Sequence, residues 1–181
     1  MNYSIFETPL GWMGAVASSA GLIRTTLPQN SREVCELHLR PEEYGASTNS
    51  DLFAGLEKKL CMYFDGYQVL LDEEPIDIDH ASEFTKSALL KCRTVPIGQT
   101  RTYKWLANQI GKPSAWRAVG QCMAKNRIPI IIPCHRIVGS GQYFGGFGAA
   151  LARTNLKRRL LSLEIDIAKN KALASESNPK F

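Results

Sequence analysis

No apolar run of about 18 residues or more occurs anywhere in this chain of 181 residues, so a membrane-spanning helix is not expected. Residues 1–20 carry polar side chains and a proline where a secretory leader would carry a charged segment and then an apolar one, so no signal peptide is expected either. The expectation is an intracellular protein: cytoplasmic, nucleoid-associated in a prokaryote, nuclear in a eukaryote. Paired cysteine spacing is also missing. Cys35, Cys61, Cys92, Cys122 and Cys134 form an odd set without a CxxC, which argues against a disulfide framework and a structural zinc site, and leaves at least one thiol free. Acidic residues are scarce in one half only. Residues 1–80 hold 5 Lys+Arg and 13 Asp+Glu, a net of −8, while residues 81–181 hold 17 and 4, a net of +13. The second half is the part that would seek a polyanion, but charge alone does not separate that reading from an ordinary solvated surface.

The length allows one domain or two small ones. Residues 3–7, 15–18 and 22–27 are short and rich in apolar or β-branched side chains. Turn chemistry at 9–14 and 20–21 separates them, which predicts an antiparallel meander. Ser31 is placed to cap a helix to about Leu39. Ser50 is placed to cap a second, with Leu52, Phe53, Leu56, Leu60 and Tyr63/Phe64 at helical spacing up to Gly66. The acidic stretch 72–79, with Pro75, marks a domain boundary near residue 80. Beyond it, 81–94 reads as helix, Pro96 and Gly98 interrupt, and Thr102 caps a helix over 103–110 that Gly111 ends. Ser114 then caps another over 115–125. Two short helices joined through a glycine fit a helix-turn-helix, and fit an αα-hairpin that never touches DNA equally well. On the second helix, Trp116, Val119 and Met123 form the face expected to pack, and Arg117, Gln121 and Ala124/Lys125 the face expected to meet a partner.

Residues 128–132 form an apolar run, read as a buried extended segment, that ends in Pro133, Cys134, His135 and Arg136. A thiol beside an imidazole at the end of a buried segment is a plausible nucleophile site. Neighbouring side chains in an extended chain point opposite ways, so His135 would reach the sulfur only through a bend or a water. Core packing is expected for the other four cysteines, and a surface position for His38 and His80. After the glycines at 139, 141, 145, 146 and 148, a last helix over 150–163 carries Leu156, Leu160, Leu161 and Leu163 with the basic run Lys157, Arg158 and Arg159. From Asp166 the tail is polar and expected to be disordered.

The stretch Arg117, Ala118, Val119, Gly120 through Asn126, Ile128, Pro129, Ile130, Ile132, Pro133, Cys134, His135 and Arg136 is similar to the signature of the O6-alkylguanine-DNA alkyltransferases, the methylated-DNA–protein-cysteine methyltransferases. Phe6, Thr8, Pro9, Leu10 and Gly11 resemble the start of that family, and Gly98, Thr100 and Tyr103 the approach to its helix-turn-helix. The resemblance implies an α/β N-terminal domain of ribonuclease-H-like shape with an antiparallel sheet and helices, over 1–80. It implies a mainly α, winged-helix-like C-terminal domain over 81–165, leaving 166–181 as the tail. It implies double-stranded DNA with alkylated bases as partner, a monomer, no cofactor and no metal, and single-turnover transfer of a methyl group from O6-methylguanine, with O4-methylthymine as a further substrate, to Cys134.

Carried over by residue, the resemblance makes Cys134 the acceptor, His135 its base through a water and Glu164 the group that orients His135. Asn126 would hold the surrounding hydrogen bonds, and Tyr103 would donate toward the departing guanine. Arg117 would enter the stack in place of the extruded nucleotide, small Ala118 would allow close approach to the minor groove, and Gln121 and Arg136 would add DNA contacts. Phe147, Gly148 and Ala149 would form the pocket wall. The chain departs from the family there by losing a hydroxyl, in carrying Trp116 where a small residue is usual, and in being about three residues longer between Leu151 and Glu164, close to one helical turn. Two competing classes are a lesion-binding relative that transfers nothing, against which Cys134 counts, and a thiol hydrolase, which nothing else in the sequence supports.

Overall fold

The computed structural model describes residues 1–140 and 151–176, which divide into two compact units. The first contains Met1–Asp65, Val69–Ser82 and Arg127–Ile132. Its strands β1 (Asn2–Thr8), β2 (Gly11–Ser18) and β3 (Gly21–Thr25) form the antiparallel meander, and β4 (Ser47–Thr48) lies parallel to β1, giving the order β3-β2-β1-β4. β2 begins four residues earlier than its sequence suggests. Gly14 belongs to the strand and not to a turn, because a Cβ there would come within 2.7 Å of Leu39 on the helix that packs across it. That helix, α1 (Arg32–Leu39), is capped by Ser31, whose side chain accepts from the Val34 amide. In α2 (Ser50–Phe64) the cap is Asn49 and not Ser50: Asn49 Oδ1 accepts from the Leu52 amide. The buried face of α2 is Phe53, Leu56, Leu60, Tyr63 and Phe64, and Leu52 lies off it, exposed. Ile5, Val16, Cys35 and Leu39 form a core cluster of this unit.

Residues 127–132 are a correction to the expected domain plan, which placed them in the second domain. Thr25 donates from its amide to Arg127 O (2.8 Å) and from its hydroxyl to Pro129 O (3.0 Å), so the segment continues the first unit beyond β3. Nor is it extended. The Ile132 amide closes on Ile128 O at 2.9 Å, and Ile130 takes φ +76°. Pro129 has no amide proton to give to a ladder, which favours a turn. A left-handed β-branched residue costs about 1–3 kcal/mol. Burying Ile128, Ile130, Ile131 and Ile132 offsets that, at roughly 1.5–3 kcal/mol per side chain.

The second unit contains Gly66–Gln68, Glu83–Asn126 and Pro133–Phe181. Its described elements are α3 (Glu83–Arg93), β5 (Arg101–Thr102), α4 (Tyr103–Gln109), α5 (Trp116–Ala124), β6 (Ile137–Val138), parallel to β5, and α6 (Leu151–Glu176). Thr102 caps α4, accepting from the Trp105 amide at 3.0 Å. Ser114 caps nothing: Pro113–Ala115 is a 3-10 turn, and α5 begins at Trp116 without a side-chain cap. Val119 and Met123 pack inward, but Trp116 is exposed, contrary to its place on the expected packing face. The expected disorder is corrected over 166–176, because α6 runs on to Glu176 with Ile167 buried; residues 177–181 lie outside the described residues. No described helix is long and apolar enough to cross a membrane.

Replacing Thr25 by Val keeps the shape but leaves the buried Pro129 carbonyl without this donor, which should cost about 1–3 kcal/mol. Urea unfolding of T25V should show a lower midpoint, and an unchanged midpoint would refute the anchoring role.

Candidate active site

The chain re-enters the second unit at Pro133 and turns at once into a 3-10 turn, Cys134–Arg136. That bend removes the extended geometry in which Cys134 and His135 would face apart. Cys134 is 6% exposed, and Asn126, just past the end of α5, donates from Nδ2 to its sulfur at 3.2 Å. Burial pushes the Cys134 thiol above its ordinary value. The Asn126 hydrogen bond, the Lys157 charge and the amides of Cys134 and His135 oppose that without cancelling it. The resting group is therefore a thiol already surrounded by donors that favour its anion.

His135 and Glu164 are both fully buried, with His135 Nε2 2.8 Å from Glu164 Oε1. Arg136 lies against the same carboxylate: its Nε donates to both oxygens (3.1 and 2.9 Å) and its Nη2 to Oε1 (2.8 Å), while Nη1 reaches Val95 O at 2.6 Å. The Gly98 amide adds a bond to Oε2 at 3.3 Å. Burial pushes the Glu164 carboxyl up, but His135 and Arg136 outweigh it and hold the group at about 2. An ionised carboxylate only accepts, so Nε2 carries the imidazole proton. Burial, in turn, lowers the His135 value and keeps the ring neutral. Nδ1 is then the nitrogen with the lone pair, and among the described residues it has no hydrogen-bond partner. Gly98, at φ +75°, makes this approach possible, since a Cβ would come within 2.7 Å of the Ala168 Cβ and 3.1 Å of Glu164 O.

The buried stripe of α6 is Lys157, Leu160, Leu161, Glu164 and Ile167. Lys157 Nζ donates to Ile137 O at 2.6 Å and lies 5.9 Å from the centroid of the Tyr103 ring. Burial lowers its ammonium to about 8, although the Cys134 and Cys92 thiols favour its charge. Tyr103 is pushed up to about 12, by burial first and then by those same thiols, so it stays a phenol and a donor. Its ring lies 4.0 Å from where a Cβ on Gly120 of α5 would stand. Among the described residues, no three His, Cys, Asp or Glu come together to hold a metal ion.

Residues 83–165 match the model of the 6-O-methylguanine DNA methyltransferase, DNA binding domain. A methylated-DNA–protein-cysteine methyltransferase of Mycolicibacterium paratuberculosis is 36% identical over 165 residues, covering 91% of this chain and 92% of the relative. The chain belongs to this family. A member from Methanosarcina acetivorans is 33% identical, covering 91% of this chain and 98% of its own. Among solved structures, Mycobacterium tuberculosis OGT in complex with DNA is similar, with a TM-score of 0.74, 29% identity and coverage of 92% and 94%.

In this methyltransferase the residues expected around the acceptor, Tyr103, Asn126, Cys134, His135 and Glu164, gather in one unit, with Glu164 on His135. Arg136 is the correction. It was expected on DNA, but its guanidinium is buried and engaged by Glu164 and Val95. Arg117, Ala118 and Gln121 are exposed on α5. Phe147, Gly148 and Ala149, the expected pocket wall, lie outside the described residues. Of the four cysteines expected in the core, Cys35 and Cys92 are buried. Cys61 and Cys122 are only half-buried, at the edges of their helices' packing faces, the first directed at Glu7 O and the second at Thr85. Lys157 was missed. It reads in sequence as one of three consecutive basic residues, yet it stands three, four, seven and ten positions before Leu160, Leu161, Glu164 and Ile167, and that periodicity marks it as inward-facing.

Lys157 folds with its proton held less tightly than in the unfolded chain, so its burial penalty falls as pH rises from about 8 toward the ordinary lysine value of about 10.4. Lys157→Met should therefore gain stability over the parent below about pH 8, and that gain should shrink between about pH 8 and 10.4. Paired denaturant titrations across this range check it, and a gain independent of pH would contradict the buried charge.

Proposed function

We propose that this chain repairs alkylated DNA by direct reversal, moving the methyl group of O6-methylguanine onto Cys134 in a single irreversible event. The observation that carries the reading is the polarity of the buried relay. Glu164 fixes the proton of His135 on Nε2, and the bare Nδ1 is left to take the Cys134 proton through a water. As that proton leaves, the sulfur pair attacks the methyl carbon, the S–C bond forms, and the C–O6 bond breaks with its electrons passing to the purine. Tyr103 donates toward the purine as that charge develops, and the proton balance closes with neutral guanine. A thioether has no route back to a thiol here, so each chain acts once. Every group of the relay comes from one chain, which supports action as a monomer.

The methyl carbon on O6 cannot be reached inside a duplex, so the nucleotide is extruded, with Arg117 taking its place in the stack and Ala118 and Gln121 against the groove. No Asp or Glu occurs between Glu83 and Glu164, which supports a DNA-facing role for the second unit. The order β3-β2-β1-β4 with a parallel β4 supports a ribonuclease-H-like first unit, and α3, α4 and α5 beside the β5-β6 pair support a winged-helix-like second. O4-methylthymine presents a similar O-methyl carbon and is proposed as a second substrate.

After incubation with duplex DNA containing O6-methylguanine, intact mass should rise by one methyl in place of one proton, on the peptide that holds Cys134, and Cys134→Ala should show no rise. Binding without a mass change would mean a lesion-recognition protein instead. The pH dependence follows from His135. Protonating the imidazole removes the base, and burial holds its value below the ordinary figure of about 6.5, so transfer should stay level on descending to about 6.5 and fall only below it. A single-turnover rate that already halves above about pH 7 would exclude His135 as the base.

A further inference from the structure

Trp116 is a large apolar residue that packing does not account for. It shares a stripe of α5 with Val119 and Met123, both buried, yet it is 44% exposed. The Arg117 guanidinium lies over it, 4.7 Å from the ring centroid. Successive residues on a helix point about 100° apart, so the helix does not impose this contact, and Arg117 folds back across the indole. Neither α4 nor α5 carries an acidic residue to compete for the guanidinium. A cation over an indole is favoured by the ring's negative face, and an arginine held there has already given up much of the side-chain freedom that docking would otherwise remove.

We propose that Trp116 is a positioning residue for Arg117: the indole holds the guanidinium stacked at the protein surface, ready to exchange that ring for a base when a nucleotide leaves the duplex. A small residue at 116 would leave Arg117 free in solvent, with its whole ordering cost falling on the extrusion step. This rests on the reading of Arg117 as the residue that replaces the extruded nucleotide.

The test compares single-turnover methyl transfer by the full chain from two substrates of one sequence, an O6-methylguanine duplex and the same strand alone, where no paired stack has to be replaced. W116A should lower the duplex-to-single-strand rate ratio about five-fold, and W116F, which keeps a ring, by less than about two-fold. R117A should lower the ratio on the order of ten-fold, and W116A/R117A should be no lower than R117A, since an indole with nothing to position contributes nothing further. An unchanged or raised ratio in W116A, or losses that multiply in the double variant, would overturn the positioning role. An unchanged ratio in R117A would overturn the reading of Arg117 and this proposal with it. No methyl transfer by the parent chain from either substrate would instead remove the repair function itself.

Discussion

Glu164 is an ionised carboxylate with no exposed surface, and the arrangement around Cys134 depends on it. Removing a carboxylate from water costs several kcal/mol, recovered only when charges and donors saturate it. Here Arg136 forks onto it, Gly98 donates an amide and His135 fills the remaining position. Replacing such a group by hydrocarbon is often neutral or stabilising, whereas removing one partner alone costs about 3–5 kcal/mol. Stability alone therefore does not account for the clamp. What it does chemically is decide which nitrogen of His135 carries a proton.

The same clamp sets the register of α6. Glu164 and Lys157 are seven residues apart on one buried stripe, so fixing Glu164 on Arg136 fixes the height at which Lys157 meets Ile137 O and the Tyr103 ring. That height also brings the Lys157 charge to bear on the Cys134 thiol, which Asn126 meets from the end of α5. Burial raises the thiol while Asn126 and Lys157 pull against it, which keeps the sulfur protonated at rest and lowers the cost of forming its anion. On its other side α5 leaves Arg117, Ala118 and Gln121 in solvent. One short helix thus separates the buried cluster from an exposed face without acidic residues.

Much of this was legible in the linear sequence. The meander, the Ser31 and Thr102 caps and the paired short helices follow from side-chain periodicity and local hydrogen bonding, which act over a few residues. The errors cluster where distant segments meet. Gly14 looked like a turn residue because its reason, the close passage of Leu39, lies on another element. Residues 128–132 looked extended because an apolar run does not say whether it closes on itself. Asp166 onward looked disordered because polar composition hides single buried anchors such as Ile167.

By itself the sequence determined most of the secondary elements, the charge division between the halves and, through its signature around Cys134, the family. Only the tertiary structure decided what those groups face. It turned Arg136 inward onto Glu164, brought Lys157 out of a basic run into the interior, and left Trp116 in solvent under Arg117. The physical reason is that an ionisable side chain takes its role from the charges and solvent around it, and those come from residues 28, 41 or 66 positions away in the chain.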